Sequence, residues 1–144
     1  MNILSNATLP SLPFVVCDAT GRILRTGSAP GEIVDLQAQP GELVFAGTAG
    51  ANDHIINPTG AAESVPRPAS PVTIDKTTVQ ADATDAVMLS NVGAGATVSV
   101  TGPVSSSGTG DGTPISLTFE GAGQYSITVQ HFPDLDFVAV VNAI

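Results

Sequence analysis

The chain has no tryptophan, one tyrosine, one cysteine and four basic residues in 144 positions. Each shortage excludes something. Arg22, Arg25, Arg67 and Lys76, set against 13 acidic residues, cannot neutralise a run of phosphates, so nucleic acid is excluded as a partner. The net charge of −9 equally gives no attraction to an anionic bilayer. Cys17 is alone, so no intrachain disulfide is possible; it reads as a small buried strand residue rather than a reactive thiol. No run of 18 apolar residues occurs, which argues against a membrane-spanning helix. The first twenty residues lack a basic n-region, and Pro10 and Pro13 interrupt any h-region. No secretory signal is expected, and the sequon Asn6-Ala7-Thr8 is then not a glycosylation site.

Glu and Lys, the usual surface formers of helices, number only five together. With five Phe and one Tyr, a core must rest on Val, Ile, Leu and Ala. Fifteen Gly and 11 Pro punctuate these residues with turns. The composition therefore predicts an all-β protein with a thin core, one that relies on neighbours for further burial.

Along the chain, residues 1–13 read as an N-terminal arm, with two prolines and no period. Phe14–Cys17 and Arg22–Thr26 read as the two strands of a hairpin closed by Asp18-Ala19-Thr20-Gly21. Glu32–Gln37 fits one helical turn or a short strand. Glu42–Ala46 and His54–Asn57 read as further strands. Residues 14–60 thus form a small, irregular β-rich module. Residues 61–71 hold Pro66, Pro68 and Pro71 and read as an extended linker, in which Arg67 is a solvated side chain.

Beyond the linker, residues 72–144 alternate regularly. Strands are predicted at Val72–Asp75, Ala86–Ser90, Ala96–Val100, Ile115–Phe119, Tyr125–Val129 and Phe137–Val141, with Ser106–Gly112 as a flexible loop. Strands at this spacing, with no helical pattern between them, indicate a β-sandwich.

Two resemblances add to this reading. The run Thr77–Leu89 resembles the opening of bacterial immunoglobulin-like domains, with Ala83 where that family usually has Gly, and Gly121-Ala122-Gly123-Gln124-Tyr125-Ser126-Ile127-Thr128-Val129 resembles a later strand of the same superfamily. The resemblance implies an immunoglobulin-like β-sandwich over 72–144, without the Cys pair and Trp of antibody domains. Asp18–Leu24, Gly27, Pro30, Gln37, Gly41-Glu42, Gly47, His54–Ile56 and Arg67-Pro68 resemble small structural proteins of tailed bacteriophages. That resemblance implies a virion component: a tail fibre or tail accessory protein, or alternatively a capsid decoration protein.

Motifs for chemistry are absent. No Gly-x-Ser-x-Gly occurs, and the two histidines, His54 and His131, fall in different halves. One Cys and two distant His make no recognisable zinc cluster. Asp134 and Asp136, joined by Asp82 and Asp85 or by Asp111, are the least implausible calcium ligands, but solvated turn carboxylates are the simpler reading. Gly108-Thr109-Gly110-Asp111-Gly112 lacks the Lys and helix of a phosphate cradle. No catalytic, metal or cofactor residue is assigned, and a non-enzymatic role is expected.

The partners expected are other virion proteins and copies of the chain itself, with weak host-surface contact by the outer domain. Attachment would use strand addition at the N-terminal module, through Phe14, Val15, Val16, Leu43, Val44 and Phe45. A fragment of a bacterial immunoglobulin-like adhesin is the remaining alternative. Charge supports the division of labour. Residues 1–71 carry three basic and six acidic side chains, and residues 72–144 one and seven, so the regular half is the more acidic and suits solvent.

Overall fold

The structure, a computed structural model, describes residues 10–144 and falls into two units, Met1–Arg67 and Pro68–Ile144. Both are built almost entirely of antiparallel β-strands, so the chain is an all-β protein.

In the first unit the apolar run Phe14–Cys17 lies in β1 (Ser11–Cys17), paired on one side with β2 (Ile23–Pro30) and on the other with β3 (Leu43–Ala46). A 3-10 helix, Gly31–Gln37, links β2 to β3. The hairpin β4 (Asp53–Ile56) and β5 (Glu63–Pro66) completes the unit. Because successive side chains on a strand point to opposite faces, the apolar run of β1 feeds two small cores. Phe14 and Val16 pack with Ala29 and Val34, while Val15 and Cys17 pack with Ile55.

Two boundaries differ from the sequence reading. Ser11–Pro13 belong to β1 rather than to an arm, because Ser11 to Phe14 align with Pro30 to Gly27 of β2. The rest of the expected arm, residues 1–9, lies outside the described residues. The linker is also shorter than its prolines suggest. Glu63–Pro66 pairs with Asp53–Ile56, and the Arg67 N–H donates to the Asn52 carbonyl at 2.8 Å. Pro66 is tolerated there because it ends a strand of a two-stranded sheet, where a missing donor costs little.

The second unit has eight strands: β6 (Thr73–Ile74), β7 (Thr78–Val79), β8 (Ala86–Ser90), β9 (Thr97–Thr101), β10 (Ser106–Thr109), β11 (Ile115–Thr118), β12 (Gly123–Gln130) and β13 (Phe137–Ala143). They make a five-stranded sheet, β10-β9-β12-β13-β7, and a three-stranded sheet, β11-β8-β6. The one parallel pair among the described strands joins β13 to β7. Val87 and Leu89 from the small sheet meet Val98, Tyr125, Ile127, Val129 and Val141 from the large one in a single core, so the two sheets form a sandwich. Ser106–Thr109, expected to be a loop, is an edge strand held by β9.

Two local features carry measurable stability. Ala83 takes φ +61, a left-handed conformation that costs an L residue about 1–2 kcal/mol. The resemblance places Gly at this position, and the turn keeps the glycine geometry without the glycine. Ala83→Gly is expected to stabilise the unit by about 0.5 kcal/mol, after the added freedom of the unfolded chain is subtracted. Urea unfolding checks this. The Tyr125 hydroxyl donates to the Gly121 carbonyl at 2.9 Å, and its ring lies 4.5 Å from that of Phe119. Tyr125→Phe keeps the ring and removes the hydrogen bond, so a loss of about 1 kcal/mol is expected in the same measurement.

Candidate functional site

The residues proposed from sequence as an attachment surface fall into two groups. Phe14, Val15 and Val16 occupy the central strand of their sheet, with both edges paired and side chains 7%, 0% and 0% exposed. They are core, and this corrects their assignment as contact residues. An apolar run on a central strand is used up by the two cores it separates. Leu43, Val44 and Phe45 differ. They lie half-buried on β3, which ends its sheet and has no further strand on its outer side among the described residues. Leu12, Leu24, Ile33 and Leu36 are exposed in the same unit, Leu36 at 76%.

The register of β3 is reinforced by an ion pair that sequence reasoning missed. Arg25 on β2 donates both guanidinium arms to Glu42, at 2.9 and 2.8 Å, and a further hydrogen bond to the Gln37 carbonyl. This fork ties the end of the 3-10 helix and the entry to β3 onto β2. Arg25 holds the Glu42 carboxyl below the usual carboxylate range, with help from the Gln39 N–H. In sequence both residues are polar members of predicted strands, and only the fold brings them together.

The acidic residues considered for calcium are each engaged near their own turn. Asp82 accepts from the Thr84 and Asp85 N–H groups, both at 2.8 Å. Asp85 accepts from Lys76 and from the Gln80 N–H. Asp111 accepts from the Thr113 N–H and hydroxyl, and Asp136 from Gln130. Asp134 lies 3.8 Å from His131 within one turn. Among the described residues, no three His, Cys, Asp or Glu side chains converge to hold a metal ion. Cys17 is fully buried, and burial, followed by the nearby Asp18 charge, raises its thiol pKa. His54 lies on β4 in the first unit and His131 follows β12 in the second.

These hydrogen bonds set a pH response. Lys76, the first cause at Asp85, and the backbone N–H groups of Asp85 and Thr84 at Asp82 depress both carboxyls below their ordinary values. A depressed native pKa contributes stability above the unfolded value, and that stability is lost as pH falls through the folded pKa. The melting temperature is therefore expected to hold from neutral pH down to about 4 and to decline below it. In Asp82→Asn the acid-side decline is expected to shrink, and a pH series of thermal melts measures both.

A concave feature of the second unit lies between the edge strands β10 and β11. Two clefts of about 420 and 490 Å³ share Val100, Ser106 and Leu117 in their walls. Val98, Ile115 and Phe119 add apolar surface, Ser and Thr side chains line the rim, and Asp111 and Glu120 are the acidic residues of the lining. Asp111 is already engaged by Thr113. Its apolar and hydroxyl-bearing lining gives the cleft the character of a binding groove.

Sequence reading missed this cleft because it treated β10 as a loop. Ser106-Ser107-Gly108-Thr109 has no apolar residue to mark it as a strand. Among the described residues no helix is long and apolar enough to cross a membrane. Compared with known families, curated proteins and solved structures, the chain matches no family, no curated protein and no solved structure.

Proposed function

We propose that the chain is a non-enzymatic structural component of a tailed-bacteriophage particle, a tail fibre or tail-associated protein. In this reading the first unit attaches to the particle and the second projects as an immunoglobulin-like domain. The single observation that carries the reading is the open edge of β3, in a unit that also exposes aliphatic side chains. An unpaired edge is a template for pairing with another chain, and strand addition at such an edge is a recurring mode of recognition. Attachment then falls to Leu43, Val44 and Phe45 with Leu12, Leu24, Ile33 and Leu36, not to the buried residues of β1.

The strand order supports the immunoglobulin-like assignment. With β6, β8 and β11 as strands A, B and E, and β9, β12 and β13 as C, F and G, the sheets are A-B-E and C-F-G. β7 adds to G in parallel as an A′ strand, and β10 adds to C. Tyr125, near the start of β12, bonds back to the carbonyl four residues upstream, which is the geometry of a tyrosine corner. The acidic, regular surface of this unit suits exposure to solvent and weak multivalent adhesion.

Electron microscopy of particles labelled with antibody to this chain tests the reading. Label at tails is the expected result. Label spread over heads would replace it with the capsid decoration alternative. Particles without label would remove both and favour the adhesin fragment.

A further inference from the structure

The second unit is a sandwich with unequal layers, five strands in one sheet and three in the other. β10 ends the large sheet, β11 ends the small one, and residues 110–114 are the whole connection between them. The two clefts share Val100, Ser106 and Leu117, so they form one groove along this open side of the sandwich. Val100, Ile115 and Leu117 pack against the core there but are only partly buried. β11 is an edge without the usual protections. It carries no charged side chain and no proline, and it runs beside β8 without a bulge. Its outer main-chain groups have no strand partner among the described residues.

A groove with an apolar floor beside an unprotected strand edge has the shape of an extended peptide. The edge would supply main-chain hydrogen bonds, and the floor would receive every second side chain. Charge decides what kind of peptide fits. Asp111 precedes β11 and Glu120 follows it, so two exposed carboxylates stand at opposite ends of the groove. The Thr113 hydroxyl and N–H both donate to Oδ1 of Asp111, at 2.6 and 2.9 Å, which leaves Oδ2 outside these bonds. They hold the Asp111 carboxyl below the usual carboxylate range, so it is charged at neutral pH. The one Lys or Arg in residues 72–144 is Lys76, and it is bound to Asp85. A second copy would bring the same surplus, one basic side chain against seven acidic ones in this half, so like charges would meet. An occupant that carries cations beside its apolar residues meets no such repulsion. Seven extended residues span about 23 Å, enough to lie along β11 and pass both of its ends.

We propose that this groove binds an extended segment of another protein, added as a strand to β11, in which alternate aliphatic residues are flanked by lysine or arginine. Val100, Ile115 and Leu117 receive the aliphatic side chains, and Asp111 and Glu120 pair with the flanking cations. The proposal is independent of the virion reading, since the groove lies in the second unit and the attachment edge in the first.

The test uses the full chain and two end-capped peptides, Lys-Val-Thr-Val-Thr-Val-Lys and Glu-Val-Thr-Val-Thr-Val-Glu. Fluorescence polarisation reads their affinity, and amide exchange reads where they bind. The lysine peptide is expected to bind about tenfold more tightly than the glutamate peptide at low salt, and to lose most of that advantage at about 1 M salt. At saturation it should slow exchange at Ile115–Thr118 about tenfold. Glu120→Lys lies on the surface and should leave the circular dichroism spectrum unchanged while bringing the two peptides within about twofold of each other. Glu120→Gln should give a preference between these two. The proposal is overturned if neither peptide protects Ile115–Thr118, or if the unaltered chain binds both equally. A preference that Glu120→Lys does not move would overturn it too. So would protection of Ile115–Thr118 that rises with the concentration of the chain alone, because the occupant is then a second copy.

Discussion

Gly21→Ala is expected to unfold the N-terminal unit. Gly21 closes the β1–β2 turn at φ +88, a conformation that costs any L residue about 1–2 kcal/mol. The larger cost is steric. A Cβ at this position would lie 2.0 Å from the Ile55 carbonyl oxygen and 3.0 Å from its carbon, both backbone atoms that no rotamer change relieves. The Ile55 N–H donates to the Gly21 carbonyl at 2.8 Å, so the clash pushes apart the two segments that this bond joins. Ile55 is 1% exposed and forms the small core with Val15 and Cys17, which opens when β4 is displaced.

Strain, the lost hydrogen bond and the damaged core together should exceed about 4 kcal/mol, comparable to the whole stability of a unit this small. Loss of dispersed amide signals from Val15–Cys17 and Ile55 in a two-dimensional NMR spectrum is the expected readout. Gly41→Ala separates the two causes. Gly41 has φ +83 with no atom within 4 Å of its missing Cβ, so only the conformational cost of about 1 kcal/mol should appear. Equal effects at the two positions would refute the steric argument.

Ile127→Ala should have the second largest effect. Ile127 is fully buried on β12, which pairs with β9 on one side and β13 on the other. It stands opposite Val100 and Ala139 in the two registers. Being central, its position has no room to collapse, so truncation leaves a cavity as well as losing transfer free energy. A cost of about 3.5 kcal/mol is expected, with Ile127→Val near 1 kcal/mol. A unit of this length has about 4–12 kcal/mol in total. The alanine variant should therefore melt about 15–25 °C lower, and calorimetry measures the shift. A fall of only a few degrees would mean that the two sheets do not share one tight core.

Much of the second unit was legible in its alternation. Ile115-Leu117 and Tyr125-Ile127-Val129 show a period of two because one face of each strand meets the core and the other meets water. The hairpin around Asp18–Gly21 was legible for a different reason, its turn chemistry. Asp18 accepts from the Thr20 and Arg22 N–H groups, and Gly21 takes the left-handed backbone.

Strands without such a signature were not legible. β10 has four fully polar or glycine positions, and β5 lies inside an expected linker; both exist because a neighbouring backbone offers hydrogen bonds. Propensity scales do not see that partner. The 3-10 helix at Gly31–Gln37 is ambiguous in sequence between a helical turn and a strand, since Ile33, Val34 and Leu36 fit either period. Val34 alone is buried, against Phe14 and Val16.

The candidate surfaces divide along the same line. The sequence supplied the apolar segments Phe14–Val16 and Leu43–Phe45 but no means of telling a central strand from an edge. Strand order made that distinction: it placed the first in the core and left the second at a sheet end. The cleft beside β11 had no sequence signal, because it arises from the unequal number of strands in two sheets. By itself the sequence determined the all-β class, the change of character at the linker and the acidic charge balance. These depend on composition, local periodicity and total charge, which are properties of the chain before it folds. The tertiary structure alone decided which apolar residues are covered and which edges stay open, because pairing between distant strands is a property of no single segment.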